Sequence, residues 1–364
     1  MKDVSIQIPQ KIGILQKIGS WARTLIPTKG KLTSTMKNVG ITMLSISVFL
    51  LLWHFGALGL YQMEAQYKIQ SALETQGEVA AKEAEACILS GEKSCQPNTL
   101  PSPGQVLVAA KALLADYYVI SQKKAEFSLK VAKTNAQRRS QGLAPITYTG
   151  RPSFVDQMFT SLKTVMVGFF LALCISVPIG IVIGFNESLR TAFNWLVQIF
   201  KPVSPVVWLL LVFMIVKTLT LGSTDDTSFM ISSISVALCA MWATLVNTSV
   251  GVSSVNKDYL NVAKVLKLGV GKKIFKVILP SSIPLIFTGM RITVSVAWMV
   301  VIAIELLAQS PGLGTFVWEE FQNGANDSNA KIIVAMFVIG IIGFLLDRIM
   351  FWVQQSVSFE KALA

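Results

Sequence analysis

The chain has 364 residues, 52% of them hydrophobic and only 14% charged, with a formal net charge of +12. That charge content lies far below the ~25% of a soluble domain, which excludes an ordinary soluble globular protein and points to repeated membrane crossing. The basic excess is not a nucleic-acid footprint. It sits in the N-terminal stretch and in short connections, and no soluble patch interleaves aromatic with basic side chains.

Residues 1–38 form a basic N-terminal segment, and up to residue 39 seven Lys/Arg stand against a single acid, Asp3. This asymmetry predicts a cytoplasmic location. Residues 4–25 read either as an amphipathic helix on the inner membrane face or as a disordered basic tail drawn to anionic lipid. A cleavable signal peptide does not fit, because the apolar run begins only near residue 39. Spanning requires about 20 apolar residues. Six runs qualify: 39–60, 162–185, 191–216, 228–250, 283–307 and 330–351. Positive flanks then place both termini inside, the second as a cytoplasmic tail at 353–364.

Residues 61–161 separate the first two runs and are expected outside as a mostly helical insertion. Residues 64–85 are rich in Ala, Glu, Gln and Lys and favour helix. The stretch 96–104 (QPNTLPSPG) is a break. Residues 106–118 show the spacing of an amphipathic helix, expected to lie at the membrane surface. A basic helical stretch at 127–139 and a loop at 142–152 follow. Cys87 and Cys95 flank a glycine-containing loop; in an oxidising compartment they could form a disulfide, and otherwise they are two surface thiols. Cys174 and Cys239 fall inside spans and read as packing residues. His54, the single histidine, is an interfacial polar residue or a proton relay.

The third run is interrupted by Lys201, Pro202 and Pro205. Proline within a span is tolerated where backbone lines a cavity or where neighbours repair the lost bonds. Ser204, Pro205 and Trp208 therefore read as path lining or as a packing kink. The fourth run opens into a loop at 251–282. Within it residues 259–268 form a short amphipathic helix, with Leu260, Ala263, Leu266 and Val270 on one face. Gly269 and Gly271 break it, and Leu279-Pro280 starts a new element. Lysines at 257, 264, 267, 272, 273 and 276 place this loop in the cytoplasm, where its helix offers a docking surface to a soluble partner.

The fifth run carries Arg291 and Glu305, roughly 21 Å apart along a helix. Arg291 either snorkels to the inner face or lines an anion path, and Glu305 is a packing residue or part of a gate. Thr288, Arg291 and Ser295 share one helix face. No P-loop, catalytic triad or multi-histidine metal site can be built from the chain. It reads as a transport subunit and not an enzyme, and any ATP-driven step belongs to another chain.

Several segments together resemble the permeases of binding-protein-dependent ABC importers. They are Lys201-Pro-Val-Ser-Pro-Val-Val-Trp208, Thr244-Leu-Val-Asn-Thr248, Asp258-Tyr-Leu-Asn-Val-Ala-Lys-Val-Leu-Lys-Leu268, Phe287-Thr-Gly-Met-Arg-Ile292 and Ala303-Ile-Glu-Leu-Leu307. The wording is similar to that of the branch importing nitrate, nitrite, cyanate or bicarbonate. The family's Glu-Ala-Ala triplet falls on Asn261-Val262-Ala263, its later glycine on Lys267, and its Ile-x-Leu-Pro close on Val277-Ile278-Leu279-Pro280. The resemblance implies an all-α, six-helix type I importer permease core, here at 162–352, in a bacterial inner membrane. It assigns ATPase coupling to Tyr259, Leu260, Asn261, Val262, Ala263, Leu266, Lys267 and Gly269. It implies a second copy of the chain, two cytoplasmic ABC ATPases that bind the ATP and Mg, and a periplasmic or lipid-tethered substrate-binding protein. This chain itself carries no cofactor. Nitrate is the first substrate reading; bicarbonate, cyanate, or an organic sulfonate or taurine are the alternatives. From a different class, an ATPase-independent secondary carrier or channel is the competing reading. The expected anion path passes Ser204, Pro205, Trp208, Thr288, Arg291, Ser295 and Glu305. The insertion before and after Leu100-Pro-Ser-Pro103 departs from the family pattern.

Overall fold

The computed structural model describes residues 29–91, 95–221, 227–325 and 327–357. The N-terminal stretch 4–25 and most of the C-terminal tail lie outside them. Among the described residues there is no strand. Five helical stretches are long and apolar enough to cross a membrane, and a bent helix pair supplies the sixth run. All six runs expected from composition are therefore helical.

Helix α1 (Lys29–Gln76) has 48 residues, about 72 Å at 1.5 Å per residue and far longer than a bilayer needs. It ends at Gly77, whose φ of 87° turns the chain back. Helix α2 (Glu78–Ser90) then packs along α1 and closes with Gly91 in a left-handed cap. A strap of residues 95–102 follows and is tied on two sides. Gln96 accepts from the Tyr61 hydroxyl at 2.7 Å, and the Trp53 indole donates to the Pro101 carbonyl at 3.1 Å. Asn98 bonds the Gly324 carbonyl and the Asn329 side chain.

Helix α3 (Pro103–Ser140) opens with a full capping box from Ser102 and Gln105. It is one continuous helix covering both stretches that read separately in sequence. Val106, Ala109 and Leu113 are buried and the helix packs on the last span, while Leu107, Val108, Leu114 and Tyr118 stay exposed. The apolar stripe is wide enough that only half of it faces out; the rest is covered by protein.

Helix α4 (Phe154–Phe185) starts eight residues ahead of the apolar run because Ser153 and Asp156 form a capping box there. Helices α5 (Glu187–Phe200) and α6 (Pro205–Leu219) meet at a 99° bend. Pro202 and Pro205 cannot donate to a helical ladder, which accounts for the break at this point. Helix α7 (Ser228–Ser253) is the centre of the bundle, clasped by α4 on one side and α10 on the other.

The clasp is close because small residues allow it. A Cβ at Gly168, Gly180 or Gly184 of α4 would stand 2.6–2.8 Å from Val236, Thr248 or Val252 of α7. Thr244 and Thr293 add an interhelical hydroxyl pair at 2.7 Å. After α8 (Lys257–Val265) and α9 (Val270–Lys273), a π-helical turn, Ile274–Ile278, runs without interruption into α10 (Leu279–Ala308). Gly271 thus lies inside a helix, and Leu279-Pro280 continues an element begun at Val270. The π turn absorbs the register change that the missing N–H of Pro280 imposes. Helices α11 (Leu313–Asn323) and α12 (Ser328–Val357) complete the bundle.

Candidate functional site

Helix α8 projects from the end of the bundle where α7 stops and α9 begins. The Asn256 side chain caps it, accepting from the Asp258 N–H at 2.9 Å. Its inner face is short. Leu260 packs against a small cluster of Val252, Val255 and Ile278, and Ala263 is 2% exposed. Ala263 therefore seats α8 on its own chain. The outward side carries Tyr259, Val262, Val265 and Leu266, with Val270 and Phe275 beyond, all uncovered. Asn261 and Lys264 are also exposed. The sequence placed Ala263 and Leu266 on a common face; the helix ends at Val265, so Leu266 departs with the turn.

That turn is a Schellman motif. The Lys267 N–H donates to the Lys264 carbonyl at 2.9 Å and the Leu268 N–H to the Ala263 carbonyl at 3.0 Å. Lys267 sits at φ 48°, in the left-handed region where the resembled pattern has glycine. Gly269 then caps α9 in an extended conformation.

The residues read as a path fall into three places. Ser204 and Pro205 form the start of α6, where the Ser204 hydroxyl accepts from the Val206 N–H at 3.4 Å. Trp208 follows, packed with Phe200 and Trp242; ring centroids lie 5.9 Å and 6.4 Å from Trp208. Thr288, Arg291 and Ser295 line a cleft of about 460 Å³ between α10 and α12, together with Asp347 and Gln354. There Arg291 is gripped along one edge: Nε donates to Asp347 Oδ1 at 2.5 Å and an Nη to Oδ2 at 2.7 Å. Gln354 donates to the Thr288 hydroxyl at 3.0 Å, and Phe351 lies under the guanidinium.

Glu305 lies in the third place and is fully buried. Ser161 of α4 and the Gly314 N–H donate to its Oε2 at 2.7 Å and 3.0 Å. The same Ser161 oxygen accepts from the Leu313 N–H at 2.8 Å. Glu305 thus sits against the first turn of α11, where free N–H groups and the helix dipole favour a carboxyl oxygen. The turn can come this close only because Gly312 and Gly314 lack side chains: a Cβ at Gly312 would collide with the Glu305 carboxyl group, and one at Gly314 with the Ile302 carbonyl.

Cys87 and Cys95 face each other with Cα atoms 5.8 Å apart, a separation a disulfide spans. Cys174 is exposed and Cys239 half-buried. No group of acids, histidines and cysteines among the described residues could hold a metal ion. Sequence reasoning missed Asp347 and Ser161. An acid in the last apolar run was the available sign for Asp347, since an arginine in another run needs such a partner.

Residues 176–359 match the family described as the binding-protein-dependent transport system inner membrane component. The chain is 33% identical over 202 residues to the nitrate import permease protein NrtB of Synechococcus elongatus, covering 56% of this chain and 69% of that one. It is 34% identical over 203 residues to the bicarbonate transport system permease protein CmpB of Synechocystis sp., covering 56% and 68%. Its fold is similar to a chain of the MetNI methionine ABC transporter in an inward-facing conformation. The TM-score is 0.50 at 14% identity, covering 56% of this chain and 95% of that one; this likeness bears on fold alone.

Proposed function

The chain belongs to the binding-protein-dependent transport system inner membrane components, and from that premise we propose that it imports a small inorganic anion, nitrate first and bicarbonate second. It is a multi-pass ABC importer permease, not an enzyme. That membership removes the ATPase-independent carrier or channel. The observation that carries the coupling role is α8: a capped helix at the end of the bundle, rooted by Leu260 and Ala263, with Tyr259, Val262 and Leu266 uncovered. Such a face suits a cleft on a soluble ATPase, which would bind the ATP and Mg. The near-equal likeness to a nitrate and a bicarbonate permease supports the anion class and leaves both substrates in play.

In this reading two copies of the chain sit in a bacterial inner membrane with both termini in the cytoplasm. Each docks one ATPase through α8, and a binding protein, free or lipid-tethered, delivers the anion at the opposite end. Closure of the ATPases would push on α8, and the rigid α7–α4–α10 clasp would carry the movement through the membrane. The path would run between the copies along α6 and α10. The test is uptake in a host lacking its own importers, with the chain co-expressed with its ATPase and binding protein. ATP-dependent accumulation of labelled nitrate, competed by bicarbonate only in excess, is the expected result. Uptake that survives inactivation of the ATPase, or accumulation of neither anion, would overturn it.

A further inference from the structure

The charges set among the apolar runs are nearly all accounted for. Arg291 and Asp347 neutralise each other. Arg348 stacks over Phe344 and Phe351, and Oε2 of Glu305 takes two donors. Lys201 is different. It is exposed at the break between α5 and α6, and among the described residues no carboxylate, acceptor or aromatic ring partners its side chain.

The depth of that break can be read from its neighbours. Phe200 stacks on Trp242 at 6.0 Å, and Trp208 lies 6.4 Å from the same ring. Trp242 stands near the middle of α7, so the break lies near the middle of the bilayer. Either headgroup layer is then about 15 Å away, half the hydrocarbon thickness and beyond the reach of a four-carbon stem. A lysine there cannot rest against lipid and cannot snorkel out. It must face water or a polar ligand.

Two further features meet at the same level. The indole N–H groups of Trp208 and Trp242 are buried, and neither finds an acceptor. Trp242 is only 7% exposed, which makes an unused donor there costly. A cation and two donors without acceptors ask for the same thing: a small, acceptor-rich anion.

We propose that Lys201, at the α5–α6 break beside Trp208 and Trp242, holds the transported oxyanion at mid-membrane. This rests on the anion-importer reading above. Arg291 does not serve in its place, because Asp347 bonds its Nε and one Nη and already balances its charge. Lys201 attracts without trapping: a single ammonium beside neutral donors balances one charge and leaves the anion free to move on.

The experiment uses the full chain with its ATPase and binding protein, carrying Cys174→Ser and Cys239→Ser. Lys201→Gln should lower labelled nitrate uptake by about tenfold or more, the loss of one charge contact in a low-dielectric setting. Lys201→Arg should retain most of it. In the Lys201→Cys variant, an anionic water-soluble methanethiosulfonate should react, and nitrate or bicarbonate should slow that reaction. The aminoethyl reagent rebuilds a lysine-like side chain and should restore uptake in the same preparation, which a merely structural role would not produce. Wild-type rates in the Lys201→Gln variant, or no labelling of the Lys201→Cys variant in assembled complex, would overturn the proposal. Labelling without anion uptake by the wild type would overturn the substrate reading alone and leave the site assigned.

Discussion

At Lys267 the backbone turns left-handed, and a side chain with a Cβ meets its own carbonyl there. The Schellman bonds of Leu268 and Lys267 hold the turn in spite of this. Replacing Lys267 by glycine should relieve about 1 kcal/mol of strain, roughly a fivefold change in local opening. Hydrogen exchange of the Leu268 amide should slow in Lys267→Gly and quicken in Lys267→Val. The opposite order would mean that the lysine side chain itself stabilises the turn. Ser161 is a second residue whose worth can be measured. Its hydroxyl serves both Glu305 and the Leu313 N–H, so Ser161→Ala strands the buried Leu313 N–H and leaves Glu305 Oε2 with the Gly314 N–H alone. A loss of about 1–3 kcal/mol is expected, the cost of one unsatisfied buried group. Thermal unfolding in detergent would show it, and an unchanged midpoint would count against this role for the network.

Among the elements, α8 separates two effects that a single substitution would confuse. Val262 is exposed and Ala263 is buried, one residue apart on the same short helix. Val262→Arg should leave the chain folded and membrane-inserted while weakening ATPase docking. Uptake should fall by roughly tenfold or more, equivalent to about 1.4 kcal/mol or more of docking energy. Ala263→Arg should instead unseat α8 from Leu260, Val252 and Ile278 and lower the yield of intact protein. Equal yield and equal uptake in both variants would remove α8 as the coupling element. The amphipathic spacing of this helix was legible in the sequence. Which of its sides the chain itself covers was not, because periodicity defines a face without naming its neighbour.

For the whole molecule, the insertion and the coupling loop should lie on opposite sides of the membrane. In the Cys174→Ser, Cys239→Ser background, an impermeant thiol reagent should label Thr147→Cys in intact cells, and Lys264→Cys only after permeabilisation. Both sites are exposed in the fold. The reverse pattern would invert the topology. The same preparations report on Cys87 and Cys95: without reductant neither should alkylate, as expected for a disulfide closing a short loop that contributes about 2–3 kcal/mol locally. Full alkylation of both would leave the strap at 95–102 held by its hydrogen bonds to α1, α2, Gly324 and Asn329.

The sequence by itself determined the six apolar runs, the break at Lys201 and Pro202, the basic loop around α8 and the kinship with importer permeases. These are local properties: hydropathy, proline's missing donor and charge bias act over a few neighbouring residues. Only the tertiary structure decided that Ala263 faces inward, that Asp347 pairs with Arg291, and that Glu305 meets Ser161. These contacts join residues 56 and 144 positions apart, and helical spacing is silent about which of several like faces will meet. It also showed that 106–118 and 127–139 are one helix, because nothing between them breaks it. The small residues that let α4 and α10 close on α7 were visible as glycines, but their purpose appears only when the opposing side chains of α7 stand within van der Waals reach.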